Sequence, residues 1–218
     1  MVVESKMIES KVAESKPLAP FPIAILFSGN GSNLENLVLH KDSMQQALKP
    51  YGVRPYFVLG ISNKHNAYGI KRCASLGLDC EVIAHNDFTS RALYEAALSK
   101  RLRDAGVRFL VLAGFMRILG SAFVREFCCI NIHPSFLPLY KGAHAIQESY
   151  EGAEDFGGVS VHWVSEELDS GGIIMQEKIV KIAGESLEEY ERRIHLLEHK
   201  LYPKALIAAL VQYVGRES

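Results

Sequence analysis

PIAILF at residues 22–27, followed by SGNGSN at residues 28–33, is the stretch that decides the fold. The first six residues are continuously apolar, as expected of a strand that is buried on both faces of a parallel sheet. After the glycine loop, Leu34, Leu37 and Val38 recur at helical spacing. A strand, a glycine loop and a helix in this order predict the first unit of an α/β domain.

The same alternation continues along the chain. We predict strands near residues 53–61, 80–84, 109–113, 128–132, 159–164 and 173–182, and helices near 66–76, 90–104, 121–126 and from 187 onward. Ser186 and Glu189 have the spacing of a capping box at the start of the last helix, and we expect Pro203 to break that helix near Tyr202. The pattern predicts a doubly wound, mainly parallel sheet flanked by helices in a single α/β domain.

Residues 1–20 differ from the rest in composition. The tripeptide Glu-Ser-Lys recurs at 4–6, 9–11 and 14–16, and Pro17 and Pro20 close the segment. Such a charged repeat has little apolar surface to bury. We therefore expect a flexible N-terminal extension over 1–20 and one folded domain over 21–218.

Composition and charge argue against several functional classes. Lys and Arg number 24 against 25 acidic residues, so no basic excess points to nucleic acid. No apolar run approaches the ~20 residues that span a bilayer, and the N-terminus lacks the apolar core of a signal peptide. The four cysteines form no Cys-x-x-Cys pair and are expected to be reduced. We expect a cytoplasmic monomer or homodimer that binds small molecules, with no membrane or nucleic-acid partner.

The glycine loop has two interpretations. Its glycines allow a ligand to approach the backbone closely, and the helix start that follows offers unpaired N–H groups to an anion. It is not a dinucleotide fingerprint, because Leu34 occupies the third glycine position. It also lacks the Lys of a nucleoside triphosphate loop. The stretch is compatible with a phosphate site and equally with a tight turn.

The segment Asn131-Ile132-His133-Pro134-Ser135 follows the strand predicted at 128–132. Residues two apart on a strand share a face, so Asn131 and His133 should project together. An amide donor beside an imidazole suits a reaction in which negative charge develops on a carbonyl oxygen while protons move. The alternative is a buried histidine whose hydrogen bonds are satisfied by the backbone.

Asp169 is the candidate carboxylate. It lies in Glu167-Leu168-Asp169-Ser170-Gly171-Gly172, and the flanking glycines would let its side chain enter a cleft. A carboxylate near His133 would favour the charged imidazole. The same stretch also fits an acidic turn on the surface.

Taken in order, these motifs resemble the phosphoribosylglycinamide formyltransferase family, folate-dependent enzymes of purine synthesis. The matching stretches span residues 22 to about 213 and are SGNGSNL at 28–34, LAGFMRIL at 112–119, NIHPS at 131–135, SVH at 160–162, ELDSGG at 167–172, and Glu198-His199 before Tyr202-Pro203. The Asn-Ile-His-Pro-Ser and Leu-Asp-x-Gly motifs mark the whole formyltransferase superfamily. The glycine loop and Ala-Gly-Phe-Met-Arg-Ile-Leu point to the glycinamide branch.

This resemblance implies transfer of the formyl group of 10-formyltetrahydrofolate to the amine of phosphoribosylglycinamide, with no metal. It implies a catalytic trio of Asn131, His133 and Asp169. The substrate would be held by Gly31, Ser32, Asn33, His195, Leu196, Leu197 and Glu198. The folate would be held by Arg91, Met116, Arg117, Ile118, Leu119, Asn131, Ser165, Glu166, Glu167, Leu168 and Asp169. In the implied mechanism the amine attacks the formyl carbon, Asn131 and His133 stabilise the resulting oxyanion, and Asp169 favours the charged imidazole.

The sequence departs from the family pattern in one loop. Lys141 replaces the usual proline between Tyr140 and Gly142, and Ala145 stands where many relatives have Thr. Loss of a proline frees the backbone angle φ and restores an N–H. We therefore expect the 136–147 loop to be more mobile than in relatives, with the trio unaffected.

Other functions fit parts of the sequence. A methionyl-tRNA formyltransferase is expected to carry a C-terminal RNA-binding domain, and a formyltetrahydrofolate deformylase an N-terminal regulatory domain; we expect neither here. His195-Leu196-Leu197-Glu198-His199 fits a zinc peptidase pattern, whose two histidines are one turn apart and could bind a metal. A phosphate-binding module without turnover is the remaining alternative.

Overall fold

The computed structural model describes residues 17–217 of the chain. In this range its elements are β1 (Ala19–Phe27), α1 (Ser32–Leu39), α2 (Lys41–Leu48), β2 (Val53–Ser62), α3 (Gly69–Leu76), β3 (Cys80–Val82), α4 (Arg91–Asp104), β4 (Phe109–Leu112), α5 (Ser121–Glu126), β5 (Cys129–His133), α6 (Ala145–Glu151), β6 (Phe156–Trp163), β7 (Ile173–Val180) and α7 (Leu187–Glu217). Most strands are separated by helices, as the alternation in the sequence predicts.

The strands form one sheet in the order β3-β2-β1-β4-β5-β6-β7. The pairs from β3 to β5 are parallel, whereas β6 and β7 are added antiparallel. The chain winds outward from β1 in both directions, so the strand order reverses between β1 and β4. The prediction of a doubly wound, mainly parallel α/β domain is confirmed. Ligands of such sheets bind at the carboxyl ends of the strands near this reversal.

Alternating side chains of the strands bury two hydrophobic layers. On one face, Ile23, Ile25 and Phe27 of β1 pack with apolar residues of α1, α2, α3 and α7. On the other face, Ala24 and Leu26 pack with α4 and α5. Because β1 is covered on both sides, nearly all of it is apolar, which is why its sequence identifies it so clearly.

Several element boundaries differ from the predictions by one to three residues, and two helices are not predicted. Strand β1 begins at Ala19, two residues before the expected start of the folded domain, because Ala19 and Pro20 pair with β2. The rest of the predicted extension, residues 1–16, lies outside the described residues. Strand β5 runs from Cys129 to His133, one residue later than predicted. Helices α2 and α6 are not predicted, since each has only two buried residues and therefore a weak periodic signal.

The predicted break of the last helix near Tyr202 is wrong, because α7 continues through Pro203. Proline has no N–H to donate to the carbonyl four residues earlier, which is that of His199. The side chain of Asn36, on α1, donates to this carbonyl at 2.8 Å instead. The predicted capping box at the start of α7 is confirmed, since Ser186 N–H donates to Glu189 Oε2 at 2.8 Å and Glu189 N–H donates to Ser186 Oγ at 3.3 Å.

The four cysteines all have free thiols. Within residues 17–217, no helix combines the length and the apolar character that a membrane crossing requires.

Candidate active site

A cleft of about 270 Å³ opens where β4, β5 and β6 meet the loops beside them. Apolar side chains form one wall, and an amide, two imidazoles and a carboxylate lie at its inner end. Its lining includes Phe115, Met116, Ile118, Asn131, His133, His162, Leu168 and Asp169. We call Asn131, His133, His162 and Asp169 the His133 cluster.

Strand register brings the first three members of the cluster together. Asn131 on β5 lies opposite His162 on the antiparallel strand β6, and its Nδ2 is 3.3 Å from His162 Nε2. The other ring nitrogen, His162 Nδ1, is 2.9 Å from the Trp163 carbonyl. A carbonyl only accepts, so the Nδ1 of His162 carries a hydrogen. His162 is not among the predicted site residues. His162 is two residues from Ser160, so both lie on one face of β6. The pairing of β6 with β5 cannot be predicted from the local sequence pattern.

The carboxylate of Asp169 lies between the two imidazoles. Its Oδ2 is 3.5 Å from His133 Nδ1, and its Oδ1 is 3.5 Å from His162 Nε2. Asp169 is 8% exposed. Burial raises the pKa of its carboxyl, but the neighbouring His162 and His133 and the hydrogen bond from the Gly142 N–H together outweigh burial. The pKa of Asp169 therefore lies below the usual carboxyl value, and Asp169 is a carboxylate at neutral pH.

The backbone around the cluster is strained at two points. Within residues 17–217, the only non-glycine residues with positive φ are Tyr140 at 52° and Asp169 at 48°. The Tyr140 carbonyl accepts a hydrogen bond from His133 Nε2 at 2.8 Å, and Gly142 N–H donates to Asp169 Oδ2 at 3.0 Å. Strain of this kind costs about 1–3 kcal/mol and is concentrated at functional sites. Both strained residues touch His133, which supports a functional role for the cluster.

Two further contacts hold the Asp169 turn in place. Lys141, the residue that replaces a proline of the family pattern, donates from Nζ to Ser170 Oγ at 2.5 Å. Gly171 lies directly on the Trp163 backbone, and a Cβ at this position would be 1.7 Å from the Trp163 carbonyl oxygen. Only glycine permits this approach. The expected greater mobility of the 136–147 loop stays a prediction.

A second, smaller cleft of about 180 Å³ lies beside the first. Its lining residues are Ser28, Gly29, Asn30, Gly31, Ser32, Asn33, Lys64, Ala113, Gly114 and Met116, and we call it the glycine-loop cleft. Gly31 has φ of 77°, and a Cβ there would be 2.6 Å from Gly69 Cα. Met116 also lines the first cleft, so the two clefts are neighbours.

The structure brings most predicted site residues to these two clefts, but not all. The predicted folate residues in 116–119 and 165–169 line the first cleft with Asn131, and Gly31 to Asn33 line the second. Arg91 lines neither and pairs with Glu95, Nε to Oε1, at 3.5 Å. The roles of all these predicted site residues stay predictions.

The predicted substrate segment on α7 also lines neither cleft. His195 and Leu196 line an open surface depression of about 750 Å³, Leu197 packs in the core, and Glu198 is 4% exposed. The neighbouring His199 carbonyl accepts from Asn36, so this turn of α7 lies against α1, the helix that follows the glycine loop.

In the segment of α7 that fits the zinc peptidase pattern, His195 and Glu198 are hydrogen-bonded to each other. His195 Nδ1 is 2.7 Å from Glu198 Oε2, and this bond raises the pKa of His195. Burial lowers the pKa of His199. In the described part of the chain, no group of three or more His, Cys, Asp or Glu side chains is arranged to hold a metal ion.

Comparisons with known proteins show the family to which the chain belongs. The model of the formyl transferase family matches residues 22–206. The chain is 42% identical to the solved phosphoribosylglycinamide formyltransferase of Campylobacter jejuni, covering 88% of this chain and 99% of that one with a TM-score of 0.79. Phosphoribosylglycinamide formyltransferase of Escherichia coli is 36% identical over 183 residues, which are 83% of each chain.

A longer relative matches as well. The trifunctional purine biosynthetic protein adenosine-3 of Drosophila pseudoobscura pseudoobscura is 42% identical over 186 residues. These residues are 84% of this chain but only 13% of that protein's length. From the family match and the relatives of similar length, the chain belongs to the formyl transferase family and, within it, to the phosphoribosylglycinamide formyltransferases.

Proposed function

We propose that this protein transfers the formyl group of 10-formyltetrahydrofolate to the amine of phosphoribosylglycinamide in purine synthesis. The observation that carries the proposal is the position of the His133 cluster at the inner end of an apolar cleft, next to the glycine-loop cleft. This arrangement has one place for proton transfer and a separate place for a phosphate. The names of the relatives agree with it. Because all four thiols are free, we infer a cytoplasmic location.

The first cleft fits a folate. Its apolar wall includes Met116, 63% exposed, and Ile118, 57% exposed, and Phe115 lies behind them. Exposed apolar surface beside a cleft typically marks a binding site for a partly apolar ligand. We assign the wall from Met116 to Leu119 and the turn from Ser165 to Asp169 to holding the folate, which supplies the formyl group when bound. Arg91 remains a prediction for this site, although it lies outside the cleft lining.

Asn131 and His133 would donate to the formyl oxygen as it gains negative charge. Asn131 Nδ2 has two hydrogens, and only one is needed for the contact with His162. The second is available to a ligand oxygen. The Nε2–H of His133 points at the Tyr140 carbonyl, so the reacting oxygen would have to replace that carbonyl as acceptor. Loss of one oxyanion donor typically costs about 10²–10³ in turnover.

Asp169 would act through its charge. Its lowered pKa keeps it ionised at neutral pH, so it accepts hydrogen bonds and does not serve as the acid. A carboxylate facing both imidazoles stabilises positive charge on either ring. In this proposal it favours the charged form of His133 and holds the water that carries the proton from the attacking amine to the leaving nitrogen.

A spectroscopic transformylation assay tests the proposal. Purified protein is offered phosphoribosylglycinamide with 10-formyltetrahydrofolate and, separately, formate with ATP. We expect turnover with the first pair only, unaffected by a metal chelator. Binding of both ligands without turnover would favour a phosphate-binding module, and chelator-sensitive activity with stoichiometric zinc would favour the metal alternative.

A further inference from the structure

We propose that Cys73 and Cys80 form a reversible disulfide in the folded protein, with a low-molecular-weight disulfide such as oxidised glutathione as the oxidant. The pair is then a redox modification site. It lies on α3 and β3, outside both the first cleft and the glycine-loop cleft, and it does not depend on the proposed function. Disulfides inside cells are usually transient and redox-sensing, and the free thiols of this structure are the reduced state of the pair.

Strand pairing directs the side chain of Cys80 towards α3. Cys80 on β3 is the register partner of Gly60 on the parallel strand β2. Side chains of paired residues on neighbouring strands project to the same face of a sheet. The sulfur of Cys73 lies on this face, since a Cβ added to Gly60 would be 3.0 Å from Cys73 Sγ. The glycine therefore leaves room for the two thiols to share one space.

A side-chain hydrogen bond joins the two thiols. This bond lowers the pKa of Cys80 and outweighs the opposite effect of burial. The same bond raises the pKa of Cys73, and burial adds to that rise. The thiol of Cys73 is therefore the donor and the sulfur of Cys80 the acceptor. Because the thiolate is the reactive form of cysteine, Cys80 is the nucleophile of the pair.

The two cysteines also differ in access to solvent. Cys73 is fully buried, whereas Cys80 is half-buried. Within the described residues, β3 lies at one edge of the sheet. An oxidant from solution therefore reaches Cys80 first, so the accessible thiol is also the one with the lowered pKa.

The modification would lie close to the glycine loop. Arg72, the residue before Cys73 on α3, donates from Nε to the Asn30 carbonyl at 3.0 Å. At the start of the same helix, Gly69 N–H donates to the Gly29 carbonyl at 3.0 Å. A disulfide between α3 and β3 would therefore join an edge strand to the helix that supports the loop.

The reaction is a thiol–disulfide exchange in two steps. The Cys80 thiolate attacks one sulfur of oxidised glutathione and displaces a glutathione thiolate. Cys73 then gives up its proton, attacks the Cys80 sulfur of the mixed disulfide and displaces the second glutathione thiolate. Each displaced thiolate takes up the proton that a cysteine released. Two protein thiols are oxidised while one glutathione disulfide is reduced to two thiols, so no further reactant is needed.

The other two cysteines provide a matched comparison. Cys129 is 2% exposed, its Sγ donates to the Phe127 carbonyl at 3.2 Å, and burial raises its pKa. Cys128 is half-buried, as Cys80 is. Cys128→Ala is therefore the control, because it removes a thiol of similar exposure from outside the pair.

Mass spectrometry of three variants tests the order of the two steps. Each reduced, folded protein is treated with oxidised glutathione, and its peptides are then identified. The unchanged protein and Cys128→Ala should lose both thiols of the pair and carry glutathione on neither cysteine. Cys73→Ala should keep glutathione on Cys80, because no second thiol displaces it. In Cys80→Ala, the buried Cys73 should stay unmodified. Thermal melts confirm that each variant is folded.

The unchanged protein alone decides the proposal, even where a variant fails to fold. Dithiothreitol should restore both thiols, and the Cys73–Cys80 disulfide should lose its preference when the reaction is repeated in urea that unfolds the chain. Free thiols at both positions after treatment, or a lasting glutathione adduct on Cys80 of the folded unchanged protein, would show that the two cysteines are not a redox pair. Equal yields of the disulfide in folded and unfolded protein would contradict the role of the fold in bringing them together.

Discussion

The His133 cluster and the glycine-loop cleft lie side by side but are built from different parts of the chain. The cluster consists of side chains that are close together, mostly buried and mostly ionisable, and the backbone beside them is strained at Tyr140 and Asp169. The glycine-loop cleft consists mainly of backbone and small side chains, with one charge at its edge. Proton movement needs titratable groups at defined distances, whereas phosphate binding needs exposed N–H groups and space.

This difference predicts how substitutions will behave. Changes in the His133 cluster should lower kcat, because they remove groups that act on the reacting atoms. Changes around the glycine loop should raise KM for the phosphorylated substrate, because they alter the shape or charge of a binding site. A variant that breaks this division would show that the two regions do not act separately.

The largest effect is expected for Asp169→Asn. The amide keeps the shape of the side chain but loses the charge that faces His133 and His162, so kcat should fall about 10²- to 10⁴-fold. KM for phosphoribosylglycinamide should change little. Steady-state kinetics measure both quantities, and Asp155→Asn, an exposed carboxylate outside both clefts, is the control. Normal turnover by folded Asp169→Asn would remove this residue from the mechanism.

Gly31→Ala should act on binding and stability. The new Cβ would be 2.6 Å from Gly69 Cα. Residue 31 also has a backbone φ of 77°, which residues other than glycine rarely adopt. We expect the free energy of unfolding to fall by about 1–3 kcal/mol and KM to rise more than kcat falls. Urea denaturation and kinetics provide the measurements.

Gly52→Ala separates the effect of the positive φ from the effect of the contact with Gly69. Gly52 has a similar φ of 74° but nothing within 4 Å of the added Cβ, so it should cost only about 1–2 kcal/mol and leave KM unchanged. Equal effects of the two variants on both quantities would show that contact between Gly31 and Gly69 does not shape the cleft.

A double-mutant cycle tests the contact that anchors α1 to α7. Asn36→Ala should cost about 1–3 kcal/mol, because the partly buried His199 carbonyl loses its donor. In the Pro203→Ala background the cost should be smaller, since the new N–H of residue 203 can donate to that carbonyl. Urea unfolding of the four proteins gives the coupling energy. Strict additivity would show that Asn36 does not substitute for the N–H that Pro203 lacks.

The smallest expected effect is a pH dependence of the stability that the His195–Glu198 pair contributes. Its hydrogen bond with Glu198 raises its pKa above the ordinary histidine value. The stability that this pair adds is therefore fully present below the pKa of an unfolded histidine and is lost as the pH rises through the raised pKa. In an NMR titration, Glu198→Gln should move the pKa of His195 down, while Glu188→Gln, an exposed change on the same helix, should not. An unchanged titration in Glu198→Gln would refute the assignment.

Parts of the fold and site that depend on local pattern are predictable from sequence. Residues 22–27 are apolar because both faces of β1 are covered, and the spacing of Asn131 and His133 places both at one strand end. The glycines beside Asp169 also predict that its side chain can enter a cleft, and Asp169 lines the first cleft.

Features that depend on distant contacts are not predictable in this way. His162 joins the cluster only through the antiparallel register of β5 and β6. Helix α7 passes through Pro203 because of a side chain 163 positions away from His199 in the sequence. Lys64 reaches the glycine loop because β1 and β2 are paired. Each of these depends on where the chain returns in space, which a local pattern does not encode.

The central claim is that His133 acts on the reacting atoms while the glycine-loop cleft only binds. The most direct test is a single-turnover measurement of formyl transfer at saturating concentrations of both substrates, comparing His133→Ala with His144→Ala, an exposed histidine at the start of α6. We predict that folded His133→Ala transfers the formyl group at least about 10²-fold more slowly and that His144→Ala is unaffected. A rate close to that of the unchanged protein in folded His133→Ala would contradict the claim.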